Sequence, residues 1–264
     1  MISGLGQNGF GHQALEIFSK MLADGEKPNM VTFATVFSAS SQLKQIALGK
    51  SLHGFSLKYG FMDKVDIIFQ TSLLHMYANS GNIHHARKIF DEMSERNMVS
   101  WNIIMDAFFS NGLFGKALSL FKEMISAGWR YPRSSIITLV LQICGISTDI
   151  RMGKEVHGFM LKCIKGILDP ESALECNSII DMYIKAGDLE SAILLFDRMP
   201  ERNLVTWTTL ILGYGIHGLS VEALEAFNEM KRSGISPDEI AFIAILSACN
   251  HGGLLNEGRE LSIL

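Results

Sequence analysis

Side chains able to do chemistry are spread through this 264-residue chain at spacings that build no reacting centre. His84 and His85 are adjacent, so on a helix they diverge by about 100° and cannot share a metal. His53 and His157 occupy equivalent places in two related segments, GKSLHGFSLK (Gly49–Lys58) and GKEVHGFMLK (Gly153–Lys162), which points to packing. No His-x-Glu with a downstream Cys-x-x-Cys exists, so zinc-deaminase chemistry has no basis in these residues. Neither a phosphate-binding GxxxxGK[ST] nor a GxSxG nucleophile motif occurs. Cys144, Cys163, Cys176 and Cys249 are far apart in apolar surroundings and read as small buried hydrophobes in a reducing compartment. The expectation is a protein without catalytic residues, metal site or cofactor, hence not an enzyme.

Composition narrows the remaining roles. There are 23 Lys and Arg against 27 Asp and Glu, a formal net charge of −4, with 48% hydrophobic and 19% charged residues. A body that grips polyanions by charge alone is excluded, as is a disordered chain. Lys and Arg appear singly, as at Lys44, Lys58, Lys116 and Arg202, so most belong to a solvated face. The longest apolar stretches, 136–146 and 240–249, fall short of the roughly 18–20 residues that cross a bilayer, so no membrane partner is expected. The first residues carry no leader pattern and read like the interior of a fold, an expectation that the native start lies upstream.

What positions these side chains is a repeat. An Ala followed by apolar residues, Phe and Met recurs as ALEIFSKM (Ala14–Met21), ARKIFDEM (Ala86–Met93), ALSLFKEM (Ala117–Met124), AILLFDRM (Ala192–Met199) and ALEAFNEM (Ala223–Met230). The closing Met residues are 72, 31, 75 and 31 apart, and the two related His-Gly-Phe segments fill the wide gaps. Trp101 and Trp207 stand 106 apart, and Pro28, Pro132 and Pro237 stand 104 and 105 apart. Glu95–Asn97 and Glu201–Asn203 repeat one ERN link before each Trp-bearing segment. The superperiod is about 104 residues in three unequal units.

Each unit reads as a helical hairpin. Apolar residues fall at helical spacing in Ile179, Met182, Tyr183 and Ala186, then Leu189, Ile193 and Phe196. Gly81, Gly112, Gly187 and Gly218 sit between paired helices, where a turn needs positive φ. No window alternates with period two, so strands are not expected. A lone hairpin cannot bury its apolar stripe, so successive hairpins must stack. The predicted fold is all-α, an α-solenoid. Phe18, Met21, Phe90, Met93, Phe121 and Met124 are assigned to interhelical packing, and Trp101 and Trp207 to the core at the repeat seams.

These segments resemble the pentatricopeptide repeats of plant proteins in the PLS subclass, where long, variant-long and short motifs alternate. The short motif resembles 67–97 and 173–203, the standard motif 204–238 and 98–133, and the variant-long motif 30–66 and 134–172. Residues 1–29 and 239–264 resemble partial motifs, making 1–264 a fragment of one array. The resemblance implies single-stranded RNA as partner, one base per repeat, in organellar RNA processing. Site recognition for C-to-U editing is its leading form, with editing cofactors or a deaminase acting in trans. It also implies a mitochondrial location, with the chloroplast as alternative. The rival reading is a helical-repeat scaffold for other proteins.

In this family an early residue of the first helix and the last residue of the repeat choose the base. The resemblance carries those roles to Thr71 with Asn97 (adenine), Asn177 with Asn203 (pyrimidine) and Thr208 with Asp238 (guanine). Asn102 favours pyrimidine, but its closing residue is Arg133, which departs from the family pattern. Ala34 and Thr138 stand at the early position of the variant-long repeats as weak readers or spacers, the second repeat carrying extra residues KGILDPES up to Ser172. The implied preference is 5′-A-Y-N-Y-G-3′ parallel to the chain. The bland alternative is that Thr71, Asn102, Asn177 and Thr208 are solvated or capping residues near helix starts.

Overall fold

The computed structural model describes residues 2–61, 66–129, 132–163 and 173–261, with backbone alone at 7, 163, 260 and 261. The helical periodicity becomes sixteen α-helices, and no strand occurs among these residues. Contacts divide the chain into two units, Met1–Trp129 and Arg130–Leu264. The first holds α1 (Ile2–Gln7), α2 (Gly11–Ala23), α3 (Met30–Gln42), α4 (Ile46–Lys58), α5 (Ile67–Asn79), α6 (Ile83–Glu92), α7 (Met98–Ser110) and α8 (Phe114–Ser126). The second holds α9 (Ser134–Ile146), α10 (Ile150–Cys163), α11 (Ala173–Lys185), α12 (Leu189–Arg198), α13 (Leu204–Ile216), α14 (Ser220–Arg232), α15 (Glu239–Gly252) and α16 (Leu255–Leu261). The extra residues 165–172 of the second variant-long repeat lie outside the described residues.

Odd-numbered helices are the first, and even-numbered the second, of each hairpin. Within a unit, successive first helices pack on one another, and each second helix packs on its own first helix. The backbones of second helices stay apart from one another; Arg87 of α6 reaches Glu123 of α8 only through an ion pair of 3.3 Å. The first-helix layer is therefore the tighter one in each unit and forms its inner face. This is the α-solenoid packing of helix-turn-helix hairpins.

Local sequence sets where each first helix begins. Asn29, Asp66, Asn97, Asn203 and Asp238 precede α3, α5, α7, α13 and α15, and each side-chain oxygen accepts a backbone N–H three residues on. Such a cap is worth about 1 kcal/mol. Asn29, Asn97 and Asn203 are reinforced by Thr32, Ser100 and Thr206, which complete capping boxes. Arg133 holds the same place before α9 and supplies no side-chain cap.

The turns between paired helices run through positive φ, as predicted at Gly81, Gly112, Gly187 and Gly218. In the two variant-long hairpins the left-handed residue is Lys44 (φ 52°) or Thr148 (φ 50°), which no glycine signal marks. Gly49 and Gly153, the first residues of the two related segments, serve differently: they bring α4 and α10 hard against the sulfurs of Met76 and Met182, where a methyl group would collide.

Apolar burial follows the repeat. Phe18, Phe90, Met93, Phe121 and Met124 are buried, while Met21 is half-buried. Trp101 lies edge-on to Phe90 at 4.8 Å and Trp207 to Phe196 at 4.9 Å, so both are core residues at hairpin seams. Cys144, Cys176 and Cys249 are free and buried; the Cys163 side chain is outside the described set.

Candidate functional site

The inner face is organised by helix position. Residues two and five of a first helix are three apart and share one face. At position two stand Val31, Ile68, Val99, Leu174, Val205 and Ile240, all large aliphatics exposed by 43–67%. Exposing one aliphatic is ordinary, but doing so at the same phase of three helices in each unit makes a row in each. Only α9 among these helices departs, with Ser135. Helical periodicity alone assigns an apolar residue near a helix start to the core, which hides these exposed positions. The signal was available: Val31, Ile68, Val99, Val205 and Ile240 each follow an Asn or Asp cap by two residues.

Position five carries Ala34, Thr71, Asn102, Thr138, Asn177, Thr208 and Ile243 in α3 through α15. None is a capping residue; the caps are the closing residues of the preceding repeats. Asn177 and Thr208 are each 7% exposed. Thr71 Oγ1, Asn177 Oδ1 and Thr208 Oγ1 are buried atoms without a hydrogen-bond partner. By contrast, Thr35 and Thr209, one residue further along, bond back to the carbonyls of Val31 and Val205 at 2.8 Å. A buried polar atom without a partner costs about 1–3 kcal/mol, and such atoms recur here at position five, as the indole nitrogens of Trp101 and Trp207 do at position four. Thr138 is engaged instead, its hydroxyl 3.4 Å from Ser178 Oγ, and Ala34 is buried with nothing to offer.

The closing residues have a second employment. Asn97 and Asn203 accept from Ser100 and Thr206 through Oδ1 at 2.8 and 3.0 Å, which leaves their amide nitrogens as donors. Asp238 accepts from Ala241 through Oδ1 at 2.8 Å, leaving its other oxygen as an acceptor. Cap residues of the two types thus present opposite hydrogen-bonding groups from the same backbone position. Thr71, Asn97 and Asn102 lie in the first unit; Arg133, Asn177, Asn203, Thr208 and Asp238 lie in the second. Arg133 is exposed.

Below this tier, side chains link neighbouring first helices. Ser41 Oγ meets His75 Nδ1 at 3.2 Å, Asn79 donates to Ser41 O at 3.0 Å, and His217 meets Ile184 O at 3.0 Å. Lys185 pairs with Asp181 at 2.7 Å one turn away. Charges here are few and mixed, so the face offers no cationic track.

The repeat-equivalent histidines are structural. His53 and His157 bond Tyr77 and Tyr183 through Nδ1 at 2.9 Å, and burial pushes both imidazoles below their ordinary pKa. His84 and His85 meet ring to ring at 5.7 Å, and the described residues contain no metal-holding cluster. Two Gly-x-Gly-x-x-Gly spacings occur, at Gly4–Gly9 and Gly213–Gly218, but both run out of the C-terminal end of a helix. A dinucleotide site needs that motif between a strand and a helix N-terminus, so these are turn and packing glycines.

Comparison with known proteins agrees with this layout. The description "PPR repeat family" matches residues 202–251, "PPR repeat" matches 1–26, 99–129 and 176–204, and "Pentatricopeptide repeat domain" matches 63–111. Among Arabidopsis thaliana proteins, pentatricopeptide repeat-containing protein At1g18485 is 33% identical over 98% of the chain, and At2g03380, mitochondrial, is 36% identical over 98%. DOT4, chloroplastic, is 36% identical over 94%. The chain spans 26%, 37% and 28% of these three relatives. The crystal structure of pentatricopeptide repeat protein PPR10 in complex with an 18-nt psaJ RNA element superposes with a TM-score of 0.81 at 21% identity, over 98% of this chain and 38% of that one. Matched repeat descriptions, relatives and hairpin geometry agree: the chain belongs to the pentatricopeptide repeat family.

Proposed function

We propose that this chain binds single-stranded RNA by sequence, successive repeats reading successive bases. The observation that carries the reading is the repeated pairing of an exposed aliphatic at position two with an unpartnered buried polar atom at position five. The aliphatic row supplies flat apolar shelves for base faces, and Thr71, Asn102, Asn177 and Thr208 supply base-edge partners. Asn97, Asn203 and Asp238 add a donor or acceptor from the cap. Unpaired bases offer both faces and edges, which is how single-stranded RNA is read. The mixed charge of the inner face makes base contacts, rather than phosphates, the main source of affinity. Arg133 stands where five other repeats end in Asn29, Asp66, Asn97, Asn203 and Asp238, so the Asn102 repeat lacks an Asn or Asp as its closing residue.

The family resemblance orders these contacts as 5′-A-Y-N-Y-G-3′, with Ala34 and Thr138 contributing little. Alternating unit lengths support assignment to the PLS subclass, with repeats 1–29, 30–66, 67–97, 98–133, 134–172, 173–203, 204–238 and 239–264 in one array. We place the protein in an organelle, the mitochondrion first and the chloroplast as alternative, because relatives carry both designations in their names. Marking sites for C-to-U editing, with a deaminase or editing cofactors in trans, is the process this reading favours. A protein-binding scaffold would repeat aromatic or basic anchors along its groove; position five instead repeats Thr and Asn. Selection of bound sequences from a random RNA pool tests the reading. Enrichment of A and G four positions apart is expected, and their absence ends it.

A further inference from the structure

A cleft of about 270 Å³ opens on the inner face of the first unit between α5 and α7. Its walls include the position-five residue Asn102, and also His75, Asn79, Asp106 and Ser110. Asn102, Asp106 and Ser110 follow one another at intervals of four on α7, so they form a single stripe. Asp106 is exposed and forms no ion pair among the described residues; its charge is felt across the cleft by His75, opposing the lowering of that imidazole's pKa by burial. His75 is held from behind by Ser41 Oγ at Nδ1, which turns Nε2 away from Ser41.

A short repeat of the second unit, 173–203, gives an internal contrast at the same helix positions. There Asn177 takes the place of Asn102 and Asp181 that of Asp106, but Lys185 sits one turn on and pairs with Asp181 at 2.7 Å. On α7 that following residue is Ser110, so the Asp106 carboxylate stays available. An available carboxylate beside a base-reading amide has one evident use. It accepts from an exocyclic amino group, as Asp and Glu accept from cytosine N4. Uracil presents a carbonyl oxygen at that place, and oxygen against carboxylate is repulsive. Residues four apart on a helix stand about 5–6 Å apart, close enough for two groups along one base edge to meet both.

We infer that Asp106 is a specificity-determining residue that makes the Asn102 repeat select cytosine over uracil. This rests on the RNA-binding reading and sharpens the base that Arg133 leaves open. It adds a third reading position, one turn below the residue that the family pattern uses.

The test uses the whole chain and two RNAs that differ only at the second base, A-C-U-C-G and A-U-U-C-G, each in oligouridine flanks. Wild type is expected to bind the first about tenfold more tightly. In Asp106→Asn, whose amide can donate to the uracil oxygen as well as accept, the two affinities should come within about twofold. The guanine preference opposite Thr208 should persist in that variant, showing that fold and remaining contacts are intact. A wild-type ratio below about twofold, or a cytosine preference that survives Asp106→Asn, overturns the inference while leaving RNA binding in place. Failure of wild type to bind either RNA overturns both readings.

Discussion

The guanidinium of Arg202 lies 4.6 Å over the ring of Phe196, while its Nε donates to the carbonyl oxygen of that same residue at 3.0 Å. A second nitrogen donates to Asp197 O, also at 3.0 Å. These carbonyls belong to the last turn of α12, where intrahelical N–H groups run out; Phe196 O also accepts from Met199 N at 3.2 Å. One side chain of the ERN link thus closes a helix end and covers Phe196, the edge-on partner of Trp207. Arg96 does the same in the first unit, at 4.6 Å over Phe90 and 3.1 Å from its carbonyl oxygen. The short repeats dispense with a glycine at this end because an arginine satisfies the carbonyls.

Arg202→Ala should therefore destabilise the chain by about 1–3 kcal/mol, combining a cation–π contact with two charge-assisted hydrogen bonds. Arg202→Lys should recover little of this, since an ammonium cannot stack flat and serve two carbonyls in fixed geometry. Urea unfolding monitored by far-ultraviolet circular dichroism reads the difference. A loss below about 0.3 kcal/mol for the alanine variant would show that the clasp is decorative.

The left-handed residues of the variant-long hairpins give a prediction of opposite sign. A non-glycine residue in that region costs roughly 1–2 kcal/mol, and glycine returns about 0.5–1 kcal/mol of that as added freedom in the unfolded chain. Thr148→Gly should raise stability by up to about 1 kcal/mol, and Lys44→Gly by less, because a β-branched residue is the more crowded there. A lower urea midpoint for Thr148→Gly would contradict this account.

The hairpin fold was legible because helical periodicity, the Gly turns and the Ala-to-Met segments all report one thing, burial against a neighbouring hairpin. Lys44 and Thr148 were not, since any residue can be forced into a left-handed turn when the flanking helices fix it. Thr71, Asn177 and Thr208 could be placed from the repeat phase, but their missing hydrogen-bond partners are a property of packing. The aliphatic rows, Val31 to Val99 in one unit and Leu174 to Ile240 in the other, were hidden for a different reason. Hydropathy alone cannot tell an apolar residue that faces the core from one held out for a ligand. Asp106 drew no attention because a lone carboxylate on a helix reads as a solvated residue until its neighbours are known.

Acid should weaken the fold before the carboxylates titrate. Burial lowers the pKa of His53, opposed by Glu92 and aided by His85 and Lys88, and burial alone lowers that of His157. Each folded state thus favours the neutral ring. The stability this confers is complete above the ordinary histidine value near 6.5 and is lost as pH falls through the lower folded value. Thermal midpoints should drop between about pH 7 and pH 5, a window above the usual carboxylate range. The double variant His53→Asn, His157→Asn should show a shallower fall, although His75, also lowered by burial, keeps some of it. A midpoint independent of pH across that window would refute the assignment.

Thr208 offers the cleanest test of base reading, because it is not a helix cap. Changing Asn203 or Asp238 would remove a cap worth about 1 kcal/mol and confound binding with folding. Asn is already accommodated at the equivalent position of α11, where Asn177 is as buried as Thr208. Thr208→Asn should consequently fold normally and exchange the guanine preference opposite that repeat for a pyrimidine one, by about tenfold in relative affinity. The adenine preference opposite Thr71 should not move, because that residue lies in the other unit. Gel shifts with RNAs varied only at the guanine position read this directly. If both proteins rank the four bases alike there, the polar atom at position five is not a reader, and the exposed aliphatic row must serve another partner.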